Sequence, residues 1–158
     1  MTKSSQVPLP PGLFITGTDT GIGKTVVTAY LLNLFNSRGV RVGAMKPVET
    51  GIDGLSPSDA ELLIQVGDLN DSLDDIAPYR LKTPAAPQVA AVIEDVSIKY
   101  SNIQEKFVQL SQKYETLLVE GVGGLLVPLW ENYLVADLAK ELNLPLIIVT
   151  HPNLGSIN

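Results

Sequence analysis

The spacing of apolar residues changes along this chain in a regular order, and that order predicts strands alternating with helices. After a leader of residues 1 to 11, rich in Ser and Pro, the apolar run from Gly12 to Thr16 reads as a strand. From Thr25 to Arg38, Val26, Val27, Tyr30, Leu31, Leu34 and Phe35 recur at helical spacing, and Gly39 follows in the usual C-terminal stop position. Val40 to Lys46 reads as a second strand closed by Pro47, giving a strand-helix-strand unit that implies a parallel sheet. Thr50 to Pro57 is a Gly-rich loop, and Ser58-x-x-Glu61 is a capping-box signature opening a helix through about Val66. A polar, acidic connection follows. Residues 78 to 90, punctuated by Pro78, Pro84 and Pro87, leave room for at most a short strand near Tyr79 to Leu81, and a helix then runs from about Ser101 to Tyr114. The final third supplies a buried-type strand (Thr116 to Val119), a second apolar run (Leu125 to Leu129), an amphipathic helix (Tyr133 to Leu142) and a last strand (Pro145 to Thr150). With no internal repeat, the pattern predicts an α/β fold of three layers, a mostly parallel central sheet with helices on both faces.

Composition sharpens this in three ways. At 158 residues, 45% hydrophobic and 18% charged, the chain can bury a substantial core in one domain, residues 1 to 158, and is not disordered by composition. Its net charge of −6 disfavours nucleic acid or an anionic membrane as partner, so any phosphate binding must be local. The absence of Cys and the single His151 exclude disulfides, thiolate metal sites and multi-histidine metal sites. No early stretch has signal-peptide character and no apolar run approaches membrane-spanning length, which reads as a cytoplasmic protein.

Candidate chemistry gathers where the predicted strands end, the edge at which open parallel sheets bind ligands. Between the first strand and the first helix lies Gly17-Thr18-Asp19-Thr20-Gly21-Ile22-Gly23-Lys24-Thr25, one residue longer than the strict P-loop pattern. It keeps what a phosphate cradle needs: glycines that free backbone N–H groups to turn inward, a helix N-terminus, the Lys24 ammonium, and the Thr25 hydroxyl for Mg²⁺. Gly21 and Gly23 also resemble the start of a dinucleotide fingerprint, but Val26 occupies the place of its third glycine. After the second strand comes Lys46-Pro47-Val48-Glu49-Thr50-Gly51. Lys46 shares the sheet edge with Lys24, which favours a functional role over that of a solvated strand-end lysine, whereas Glu49 reads as solvated. Glu120, followed by Gly121-Val122-Gly123-Gly124, stands where a Mg²⁺-organising carboxylate belongs, although a turn alone would use the same glycines. Asp59, in the first turn of the helix capped by Ser58, is explained from position alone by the helix dipole. His151 has no assigned role.

Together with Ser58-Asp59-Ala60 and Leu154-Gly155-Ser156-Ile157-Asn158, these segments resemble the dethiobiotin synthetase family over nearly the whole chain, and the lengthened phosphate loop is a trait of that family. The resemblance implies an ATP- and Mg²⁺-dependent ligase of biotin synthesis that converts 7,8-diaminopelargonic acid and CO₂ to dethiobiotin through a carbamate and a carbamic-phosphoric anhydride. It implies that Lys24 and Lys46 are catalytic. Nucleotide contacts would fall at Gly21, Ile22, Gly23, Lys24, Thr25, Val26, Asp59, Glu120, Gly121, Val122 and Gly123, with Thr25, Asp59 and Glu120 as Mg²⁺ ligands. Thr20, Lys46 and Thr50 would meet the diamine, and Gly155, Ser156, Ile157 and Asn158 its carboxylate across a homodimer interface. Family members continue beyond the position of Asn158, so the family's C-terminal part, with its adenine-recognition residues, is expected to be missing here. Two other readings remain: a catalytically silent nucleotide-binding regulatory domain, and a related P-loop ligase acting on another substrate.

Overall fold

A computed structural model of the chain describes residues 10–152 and residue 154. In chain order the elements are β1 (Gly12–Gly17), α1 (Lys24–Ser37), β2 (Val42–Met45), β3 (Val48–Thr50), α2 (Asp59–Gly67), α3 (Leu73–Ile76), β4 (Tyr79–Leu81), α4 (Pro87–Ile93), α5 (Tyr100–Lys113), β5 (Thr116–Gly124), β6 (Pro128–Trp130), β7 (Tyr133–Leu134), α6 (Val135–Glu141) and β8 (Leu146–Val149). Four strands form a wholly parallel sheet in the order β2-β5-β1-β8, as the strand-helix rhythm requires.

Strand residues alternate between two faces, and each face buries a separate apolar cluster. Phe14, Met45, Leu117 and Val119 pack on one side with Ile103 and Leu110 of α5 and with Val135 and Leu138 of α6. Ile15, Ala44 and Leu118 pack on the other with Leu32 of α1, Leu63 of α2 and Ile76 of α3. These are the three layers expected. Among the described residues no helix is long and apolar enough to cross a membrane.

Several expectations need correction. The strand begun at Thr116 does not stop at Val119. β5 runs to Gly124 because β1 stays paired with it past an irregularity between Ile15 and Gly17, rejoining at Gly17 and Gly124. Val48–Thr50, where the sequence reading placed no element before the loop at Thr50, is a short strand, β3, pairing in parallel with β4 outside the main sheet. The acidic connection contains α3, opened by the Ser72 hydroxyl accepting from Asp75 N–H at 3.1 Å. The proline-rich segment contains α4, with Pro87 at the start, where its missing N–H and fixed φ suit a helix. Only the end of the Leu125–Leu129 run joins a strand: β6 pairs antiparallel with β7, which takes the first two residues of the helix expected at Tyr133. α6 begins after Leu134, whose N–H donates to the Asp137 carboxylate at 2.8 Å.

Candidate functional site

The loop between β1 and α1 is held open by two glycines. Gly21 and Gly23 lie at φ 70° and 102°, in the left-handed region where a side chain is strained. Gly23 is also the N-cap of α1 and offers no capping side chain, so the first amides of the helix face outward as an anion site. The loop folds back on itself: a Cβ on Gly17 would lie 2.6 Å from Ile22 Cγ2, so Ile22 packs against the strand end. Lys24 Nζ donates to the Asp19 carbonyl at 2.9 Å, spanning the loop from within. Burial first, and the positive charge of Lys46 second, lower the Lys24 pKa below the ordinary lysine value.

A second group of charges meets at the floor of the same cleft. Lys46, only 3% exposed, donates to Glu120 Oε1 at 2.6 Å and to Asp59 Oδ2 at 2.9 Å. Glu120 is fully buried, and its other contacts are hydroxyls of α1: Thr25 donates to Oε1 and Thr28 to Oε2, both at 2.8 Å. Burial pulls the Lys46 pKa down, but the Glu120 and Asp59 carboxylates outweigh it and leave the ammonium above its ordinary value. Burial likewise pushes Asp59 up, and Lys46 more than reverses this, holding the carboxyl below its ordinary value. An uncompensated buried charge would be costly, so the pair depends on both partners.

Glu49 corrects the sequence reading. It is not solvated but 5% exposed, and its Oε1 accepts the N–H of Asp59. Desolvation raises its pKa. Its neighbour Thr50 lines the cleft together with Thr20, Lys24, Thr25, Lys46 and Asp59, around a volume of about 670 Å³. The structure thus brings the phosphate loop, Lys46, Asp59 and the β3 end to one cavity. Gly21, Gly23, Val26, Val122 and Gly123 also border it, while Ile22 turns inward and Glu120 and Gly121 lie beneath the floor. Gly155, Ser156, Ile157 and Asn158 lie outside the described residues. Sequence reasoning missed Thr28, one helical turn beyond Lys24, and the cleft wall from Pro84 to Pro87, which the loss of a recognisable helical period concealed.

A parallel sheet whose strand ends carry a glycine-rich loop, a helix N-terminus and two converging lysines defines a P-loop nucleotide-binding α/β protein. A family model described as an AAA domain matches residues 11–158. The chain is 50% identical over 158 residues to the ATP-dependent dethiobiotin synthetase BioD of Thermodesulfovibrio yellowstonii, covering 93% of this chain and 66% of that protein. It is 45% identical to the enzyme of that name from Methanococcus vannielii, with 92% and 67% covered, and 41% identical to that of Bacillus velezensis, with 92% and 63% covered. The chain belongs to the dethiobiotin synthetase family, and it spans about two thirds of the length of these relatives.

Proposed function

We propose that the protein is an ATP-dependent ligase of the cytoplasm that closes 7,8-diaminopelargonic acid and CO₂ into dethiobiotin. The observation that carries this reading is the buried Lys46 ammonium, fixed between Glu120 and Asp59 on the floor of the cleft that the phosphate loop borders. In the reaction one substrate amine captures CO₂ as a carbamate, a carbamate oxygen takes the γ-phosphoryl group from ATP, and the second amine expels phosphate from the mixed anhydride to close the urea ring. Each step shifts negative charge among oxygens, so fixed cations serve it better than a nucleophile would.

Lys24 and the first amides of α1 hold the β- and γ-phosphates; Gly21, Ile22, Gly23, Thr25 and Val26 shape that cradle, and Gly121 to Gly123 border the nucleotide from β5. Lys46 holds the carbamate and the transferring phosphoryl oxygens. Thr20 and Thr50, which both line the cleft, orient the diamine. Among the described residues no three or more His, Cys, Asp or Glu side chains gather into a metal cluster, so a cation here would rest on Asp59, Glu120, the Thr25 hydroxyl and phosphate oxygens. That all-oxygen set, incomplete without nucleotide, suits Mg²⁺, which when bound would neutralise charge on the phosphates. In a homodimer, Gly155, Ser156, Ile157 and Asn158 receive the substrate carboxylate.

The test is direct. With ATP, Mg²⁺, the diamine and labelled bicarbonate, the full-length protein yields acid-stable label in dethiobiotin; no label under conditions in which a control synthetase is active contradicts the proposal.

A further inference from the structure

The first turn of α2 has more backbone donors than its own capping box can take. Ser58 N–H donates to Glu61 Oε2 at 2.7 Å and Glu61 N–H to Ser58 Oγ at 3.3 Å, which closes the box. The first intrahelical bond is Leu62 N–H to the Ser58 carbonyl. The amides of Asp59 and Ala60 remain between these, and an orphaned helix donor must find a partner elsewhere. The Asp59 N–H donates to Glu49 Oε1 across ten residues of chain, and the Ala60 N–H beside it favours the charged form of the same carboxylate. Its second oxygen, Oε2, is buried without a hydrogen-bond partner, an arrangement that costs stability.

We propose that Glu49 is a positioning residue: anchored on β3, it fixes the first turn of α2 so that the Asp59 carboxylate meets Lys46 in the arrangement phosphoryl transfer uses. The inference rests on the ligase reading above. It follows from connectivity, because Asp59 carries both contacts: its N–H is held by Glu49 and its carboxylate holds the Lys46 ammonium at 2.9 Å. Lys46, just after β2, and Glu49, on β3, thereby hold the same residue of α2 from two points of one segment. Leu63 anchors the body of α2 in the core, and the bond to Glu49 is what fixes the backbone of its first residue, Asp59, beside Lys46.

Two variants of the full-length protein separate this role from simple structural support. E49A removes the acceptor, whereas E49Q keeps an oxygen at the same reach. Amide exchange followed by NMR should accelerate roughly tenfold or more at Asp59 and Ala60 in E49A, the equivalent of one lost charge-assisted hydrogen bond, while Leu62 onward keeps its wild-type rates. E49Q should restore slow exchange at both amides. In the dethiobiotin assay E49A should lower kcat roughly tenfold with KM for ATP little changed, and E49Q should recover most of the loss. Wild-type exchange at Asp59 and Ala60 in E49A, or acceleration along all of α2 that E49Q does not reverse, overturns the proposal. So does an unchanged kcat in E49A beside an active wild type. An inactive wild type rejects the ligase reading instead, and the exchange rates at Asp59 and Ala60 then decide by themselves whether Glu49 holds that turn.

Discussion

At Gly23 the backbone turns through φ 102° so that α1 begins with its amides facing the cleft, and at Glu120 a carboxylate with no exposed surface binds a lysine and two threonines. Both residues make sharp demands on substitution. Gly23→Ala forces a methyl-bearing residue into the left-handed region, costing about 1–2 kcal/mol; a lower thermal midpoint together with weaker ATP binding by titration calorimetry is expected. Glu120→Ala leaves the Lys46 ammonium buried without its shortest partner and should destabilise the fold by about 3–5 kcal/mol in chemical denaturation. At this scale the sequence was legible where chemistry follows from local order. The Gly-x-Gly-Lys-Thr run identified its own glycines, lysine and threonine because the loop, the cap and the helix start are consecutive. Glu49 was not legible, since its partner is the Asp59 amide ten residues on, and nothing in Val48-Glu49-Thr50 announces it.

Among the elements, those with a complete local signal were readable and the short ones were not. The Ser58 and Glu61 pair marked the start of α2, and the structure closes the predicted box in both directions. Ser58→Ala should therefore cost about 1 kcal/mol, measured as a lowered denaturant midpoint with an unchanged slope. α3, with four residues, and α4, with seven, are too brief to display a 3.6-residue period, and in α4 the proline that reads as a breaker is a starter. α3 is tied to α5 by Lys106 Nζ donating to Asp75 Oδ1 at 2.7 Å. That bond, with the Ser72 hydroxyl, holds the Asp75 carboxyl below its ordinary value of 3.8. A carboxyl depressed in the folded state contributes stability that is complete above its unfolded pKa and is lost as pH falls through the folded one. Wild-type stability should accordingly drop on acidification from about pH 4 downward, and Asp75→Asn should show a shallower drop over that window.

Across the whole molecule, the sheet works as a partition. Its strands turn Phe14, Leu117 and Val119 to one apolar cluster and Ile15 and Leu118 to the other, and all five are fully buried. Removing Leu118 to Ala should cost about 2–5 kcal/mol, because a side chain locked in a sheet between helices leaves a cavity that cannot collapse. This architecture was visible in the sequence as short apolar runs spaced by helical ones, since a strand buried on both faces has no polar alternation to lose. The gathering at the C-terminal strand edge was visible too, because parallel strands deliver every following loop to the same side. Which side chains then touch depends on packing over long separations. The Lys46 to Glu120 contact joins residues 74 apart, and only the folded sheet brings them to 2.6 Å.

The central claim is that Lys46 serves the chemistry and not the capture of nucleotide, and Lys46→Gln examines it most directly. ATP binding by titration calorimetry and dethiobiotin formation from labelled bicarbonate are measured on the same full-length preparations. ATP affinity should stay within about threefold of wild type while product formation falls roughly a hundredfold or more, the loss expected when a preorganised charge is removed from a transition state. Product formed by the variant at the wild-type rate, or a loss of activity fully accounted for by lost ATP binding, would contradict the account.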